Sequence, residues 1–184
     1  MIALPESFYG RDTVTVARAL LGKILVHGER SGRIVEVEAY LGADDLAAHS
    51  SRGLTPRTRV IFGPPGRAYV YLNYGIHECL NVVAEPDGVP GCVLIRALTP
   101  VAGLAGRLDG PGRLTKAMGV DRRFYGHCFW NAPLCILDAP SPVEPIEVTA
   151  RIGITRCADW PLRFLLGQRG WDHGAEPDRP ASPV

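Results

Sequence analysis

Two glutamates and a tyrosine fall on one face of the segment RIVEVEAY, residues 33–40. Extended chain alternates its side chains, so Ile34, Glu36, Glu38 and Tyr40 share one side and Val35, Val37 and Ala39 the other. Residues two apart stand about 7 Å from each other along a strand, close enough for Glu38 to line a pocket beside the Tyr40 ring. A carboxylate there can act as a general base or stabilise a developing cation. The competing reading is an edge strand with a solvated acidic face.

A second segment, AYVYLNYG, carries three tyrosines. Tyr69 and Tyr71 point to one side, and Tyr74 ends the strand beside Gly75 on the other. Such rings are packing residues or platforms on which bases stack, worth about 1–3 kcal/mol per base. A tyrosine beside a glycine at a strand end can also protrude as a wedge between base pairs. Asn81 in ECLNVV and Arg96 in CVLIRAL each interrupt an apolar strand. Burial of either is costly without a partner, and Glu36 or Glu38 would suit Arg96.

Between Leu46 and His77 stand Arg52, Arg57, Arg59 and Arg67 with no acidic residue, and from Arg107 to Arg123 bases outnumber acids five to two. Eighteen arginines accompany only two lysines. The planar guanidinium fork suits phosphate recognition, although a general preference for arginine gives the same count. A net charge of only +1 is unlike a typical DNA-binding protein, so any contact with nucleic acid has to come from the local clusters.

The elements that would position these residues are short. Asp12 can cap a helix through Leu21, with Gly22 as its stop. Strands are expected at 23–27 and 33–40, joined by a turn over 28–32, and at 68–74, 79–84 and 92–97. Weaker strands are expected at 134–137 and 146–152. Short helices are expected at 44–50, from Pro100, from Pro111 to Gly119, and at 161–166. The arginine-rich stretch 50–66 reads as a long loop. Strands in runs linked by turns predict an α+β domain with a curved, mainly antiparallel sheet flanked by helices. The domain is expected to span residues 1–170, with a flexible tail over 171–184.

With 184 residues the chain can bury a sizeable core without cross-links. It has five cysteines and no CxxC pair, which predicts buried thiols in place of a disulfide framework. The neighbours His127 and Cys128 have no second pair at ligand spacing, so no metal is expected. No run of about twenty apolar residues appears, and the N-terminal residues lack the pattern of a secretory signal. The expectation is a cytoplasmic protein, nucleoid-associated in a bacterium.

Together, RIVEVEAYLGADDLAAHS, TPRTRVIFGPPGRAYVYLNYG, ECLNVV, CVLIRALTP and GPGRLTKAMGV closely resemble, in order and spacing, the alkyladenine (3-methyladenine) DNA glycosylase family. The resemblance runs from about Pro5 to near Ile152. It implies a base-excision-repair enzyme, needing no metal or cofactor, that acts on double-stranded DNA containing damaged purines. Neither Lys23 nor Lys116 falls with Glu38, which predicts a monofunctional enzyme without lyase action, and one wedge with one pocket suits a monomer. On that resemblance Glu38 matches the general base and Arg96 the arginine that helps hold the base and its water. Tyr40, His49 and Tyr71 match the rings around the flipped base, and Asn81 the residue at the pocket floor. Tyr74 matches the DNA wedge. Arg52, Arg57, Arg59 and Arg113 are expected on the DNA backbone. Asn73, where an aliphatic residue is common, and Arg113, where some relatives carry lysine, depart from the pattern.

The chemistry fits those residue types. An alkylated purine is already cationic and leaves readily, so a carboxylate that supplies water and steadies the oxocarbenium ion suffices. Electron-rich rings attract such a base, and flipping costs less for a damaged one. Three rival readings keep parts of the pattern: a non-catalytic nucleic-acid module, a small-molecule or formyl-transfer hydrolase, and a structural domain whose Glu38 and Arg96 form only an ion pair.

Overall fold

The computed structural model describes residues 1–167. Its elements run α1 (Glu6–Tyr9), α2 (Thr13–Leu20), β1 (Ile24–His27), β2 (Arg30–Tyr40), β3 (Ala68–Asn73), β4 (His77–Val83), β5 (Cys92–Ala102), α3 (Pro111–Met118), β6 (Leu134–Leu137), β7 (Ile146–Thr149) and β8 (Arg163–Leu166). Three 3-10 turns lie at His49–Arg52, Arg59–Phe62 and Arg122–Phe124. The tail expected over 171–184 lies outside the described residues.

The strands form one curled antiparallel sheet in the order β3-β4-β5-β2-β1-β6, with β8 joining β2 and β7 pairing β8. The α+β architecture is therefore as the sequence predicts. Strand β2 is central: β5 runs along one edge, while the other edge pairs first with β1 and then with β8. That placement rules out the solvated edge strand. The strict alternation also fails. Register shifts between Ile34 and Glu36, and between Glu36 and Val37, mark a bulge. Ile34 consequently joins Val35, Val37 and Ala39 in the main apolar core, on the opposite side from Glu36 and Glu38.

Local chemistry explains the helices that do form. The Asp12 carboxylate accepts a hydrogen bond from Thr15 N at 2.9 Å and caps α2, which buries Val16, Ala17 and Leu20. Pro111 opens α3, and its neighbour Gly112 lets the helix approach β4, since a Cβ there would lie 2.7 Å from His77 Cβ. Thr115 Oγ1 then donates to Glu78 O at 2.8 Å and ties α3 to β4.

Several expected elements differ. The β1–β2 turn is only Gly28–Glu29, because Arg30 already pairs with His27. Residues 44–48 form turns, and only His49–Arg52 is helical, as a single 3-10 turn. No helix starts at Pro100, because β5 continues to Ala102 against Ser31 and Gly32. The segment 161–166 contains a strand instead of a helix, since β8 is captured between β2 and β7. Strand β7 stops at Thr149, so the following residues turn away from the sheet. Of the cysteines, only Cys79 and Cys92 are buried, while Cys128, Cys135 and Cys157 are half-buried.

Candidate active site

The register assembles the site. Tyr69 pairs with Asn81, Asn81 with Leu94, Leu94 with Glu38, and Glu38 with Arg163. Residues paired across antiparallel strands share a face, so this row crosses five strands on one side of the sheet. Tyr71 and Cys79 form a neighbouring pair, as do Tyr40 and Cys92. All of these except Glu38 and Arg163 line a cleft of about 390 Å³ whose wall also includes His49, Arg96 and Ile152. A small apolar cluster of Val60, Ile61, Tyr69, Val83 and Cys92 backs the wall, with Tyr40 and Tyr71 packed on it.

Glu38 sits behind that wall with none of its surface exposed. Its Oε2 accepts from the Tyr40 hydroxyl at 2.9 Å. Its Oε1 accepts from Ile152 N at 2.8 Å and lies 3.3 Å from Arg96 Nη1. Three donors on two oxygens match an ionised, acceptor-only carboxylate. Arg96 Nε donates to Glu36 Oε1 at 2.9 Å, and Arg163 Nε donates to the same oxygen at 2.7 Å. Burial and the Glu38 charge push the Tyr40 phenol well above its usual pKa, so it stays protonated and donates.

The rings are arranged tightly. His49 meets Tyr71 edge-on with centroids 4.6 Å apart, and its Nδ1 lies 2.7 Å from the Tyr69 hydroxyl. Burial, then the charges of Arg57 and Arg52, lower the His49 pKa to about 4, so the imidazole is neutral near pH 7. Asn81 Nδ2 donates to Tyr69 O at 3.0 Å, which fixes the buried amide within the row. Asn73 also lines the cleft.

The β3–β4 hairpin stands beside this cleft. Its tip, Tyr74–Gly75–Ile76, projects into solvent, with Tyr74 86% and Ile76 72% exposed. Tyr74 holds φ +48°, a left-handed backbone that a side-chain-bearing residue adopts only at some cost.

Comparison with known proteins gives the family. A family profile described as methylpurine-DNA glycosylase (MPG) matches residues 7–169. A protein of Anaeromyxobacter dehalogenans (strain 2CP-C) is 48% identical over 176 residues, covering 91% of this chain and 85% of the relative. One of Legionella pneumophila (strain Corby) is 49% identical over 174 residues, covering 90% and 95%. One of Myxococcus xanthus (strain DK1622) is 50% identical over 181 residues, covering 92% of each. All three carry the name 3-methyladenine DNA glycosylase as an inferred assignment. The chain belongs to the methylpurine-DNA glycosylase family.

In this glycosylase the structure brings Glu38, Tyr40, His49, Tyr71, Asn81 and Arg96 to one cleft, and it sets Tyr74 at the adjoining hairpin tip. The arginines divide. Arg52 and Arg59 are exposed and have no ion-pair partner among the described residues. Arg57 is exposed as well, but its guanidinium is engaged: it lies 5.0 Å from the Tyr71 centroid and its Nε donates to the Tyr69 hydroxyl at 3.3 Å. Arg113 is exposed but held by Asp109 at 3.2 Å. In the second basic cluster, Arg107, Arg122 and Arg123 pair with Asp109, Glu78 and Asp121.

Four contributors escape the sequence patterns. Arg163 lies in a segment read as helical. Ile152 acts through its backbone N–H, which no side-chain pattern reveals. Asp45 and Arg151 form a buried pair beside Tyr40. An arginine inside the apolar stretch of TARIGI carries the same signal as Arg96 and could have been found by it. No helix among the described residues is long and apolar enough to cross a membrane.

Proposed function

We propose that this glycosylase flips an alkylated purine out of duplex DNA into the cleft and hydrolyses its N-glycosidic bond with a water activated by Glu38, leaving an abasic site. The observation that carries the reading is the Glu38 carboxylate, held by three donors behind a wall of Tyr40, His49 and Tyr71. A cationic purine gains from stacking on phenol rings, which normal adenine and guanine do less well. Glu38 supplies negative charge where the sugar develops positive charge, and Arg96 steadies the carboxylate and its water.

The resting arrangement adds a step. The Tyr40 hydroxyl occupies Glu38 Oε2, and Glu38 has no surface open to solvent. Water therefore takes its place only when the Tyr40 hydroxyl gives way, and a base stacking on that ring is the natural cause. Asn81, fixed at the cleft floor, excludes guanine. Tyr74, with Ile76 beside it, fills the gap left in the duplex, and the exposed Arg52 and Arg59 reach phosphates on either side. Deaminated purines such as hypoxanthine form a second substrate class, for which the leaving base needs a proton.

The enzyme acts without lyase chemistry, which requires an amine nucleophile. Lys23 Nζ is engaged by Asp138 Oδ1 and Ala139 O, both at 2.6 Å, and Lys116 is exposed on α3. The test is incubation with duplex DNA bearing one 7-methylguanine or hypoxanthine. Release of free base, alkali-labile strands and no borohydride-trapped adduct are expected. A trapped covalent adduct would overturn the hydrolytic reading, and failure to release any damaged purine would overturn the enzyme assignment.

A further inference from the structure

The Asp45–Arg151 pair is fully buried on both sides, and the chemistry above does not use it. Arg151 Nη1 donates to Asp45 Oδ2 at 2.5 Å and to Ala39 O at 3.0 Å. Its Nη2 donates to Asp45 Oδ1 at 2.8 Å and to Cys157 O at 3.4 Å. Asp45 also accepts from the backbone N–H of Leu41 at 3.0 Å and Ala47 at 3.2 Å. Arg151 Nε is buried without a partner. A buried ion pair adds little net stability over an apolar pair of the same size, and an orphaned donor subtracts from it. Its distinctive contribution is geometric.

The two backbone bonds that Asp45 accepts end close to the cleft. Leu41 follows Tyr40, and Ala47 lines the cleft two residues before His49. The guanidinium centre lies 4.7 Å from the Tyr40 ring centroid, and Arg151, unlike Tyr40, is not part of the cleft wall. The cation therefore sits behind the ring. The next residue along the chain is Ile152, whose N–H reaches Glu38 Oε1 at 2.8 Å.

We propose that Asp45 and Arg151 are positioning residues: their pairing pins the 151–154 segment and the Tyr40 ring together, so that Ile152 N–H holds the Glu38 carboxylate in its working orientation. This rests on the reading of Glu38 as the base. The pair touches neither the DNA nor the water, and acts through Ile152 and Tyr40.

Asp45→Asn and Arg151→Lys weaken the fork while keeping size and much of the hydrogen bonding. Single-turnover release of 7-methylguanine should fall by about tenfold to a hundredfold, as misplaced catalytic groups do. Affinity for undamaged duplex should stay within about twofold, because phosphate contacts set it. Hydrogen exchange gives a readout independent of activity. The Ile152 amide should exchange faster in both variants while the amides of Leu80 and Val82 in β4 keep their protection. Loosening of Ile152 in the variants would uphold the clamp even if the wild type released no base, in which case the glycosylase reading alone would fall. An Ile152 amide as protected as in the wild type would overturn the proposal, whether or not the variants lose stability. So would release rates that fall only in proportion to the folded fraction.

Discussion

His49 shows what burial does to one residue of the site. Its imidazole is held against Tyr69 and Tyr71, and its pKa drops from an ordinary 6.5 to about 4. The unfolded chain therefore takes up a proton that the folded chain refuses between those values. Stability from the neutral ring is complete above pH 6.5 and is lost progressively as pH falls toward about 4. Melting temperatures measured from pH 7 to 4.5 should decline, and His49→Phe should flatten the decline. An identical slope in the variant would contradict this account. Asn81 and Arg96 were legible because each breaks an apolar pattern at a place where burial demands a partner, and Glu38 because the alternation sets it on one face with Tyr40. Asp45 was not, because in ADDLAAHS it resembles any solvated acid at a helix start, and its partner lies 106 residues away. Ile152 was invisible for a different reason, since its contribution is a backbone donor.

Among the elements, the β3–β4 hairpin and the segment entering β3 make separate demands. Tyr74 buries almost nothing, so Tyr74→Ala should leave the melting temperature nearly unchanged. It should nevertheless reduce release from damaged duplex far more than from damaged single strand, where no gap needs filling. Equal losses on both substrates would remove the wedge role. Gly66 holds φ +70°, and an added Cβ would lie 2.5 Å from Trp130 Cζ3 and 2.7 Å from Tyr9 Cδ2. Gly66→Ala should therefore cost about 2–4 kcal/mol, from backbone strain plus overpacking, as read from urea melts. Hairpins and capped helices were readable because their causes are local. The β2 bulge and strand β8 were not. Partners from 60 to 127 residues away set the register at Glu36, through Arg96 and Arg163, and so override the local pattern of PLRFLL.

For the whole molecule, a net charge of +1 hides an uneven distribution. The arginines of the cluster at 107–123 are ion-paired, with Asp109, Asp121 and the more distant Glu78, whereas Arg52 and Arg59 stand exposed in the 3-10 turns near the cleft without an ion-pair partner among the described residues. Binding to duplex should weaken steeply with salt, and Arg52→Ala or Arg59→Ala should each reduce the slope of log K against log salt by about 1. An unchanged slope would move the phosphate contacts elsewhere. The curled sheet unites these parts: a row of paired residues from Tyr69 to Arg163 crosses its face, and the basic segment before β3 and the hairpin after it lie at one end of that row.

In the proposed reaction Glu38 activates the water that cleaves the glycosidic bond. That role is tested most directly by single-turnover release of 7-methylguanine from duplex DNA by Glu38→Gln beside the wild type, with binding measured on the same duplex. The amide keeps the side chain's size and can still accept from Ile152, but it cannot take a proton from water. Release should fall by more than about a hundredfold while duplex affinity is retained. Release within a few-fold of the wild-type rate would contradict the account and leave Glu38 as the structural partner of Arg96.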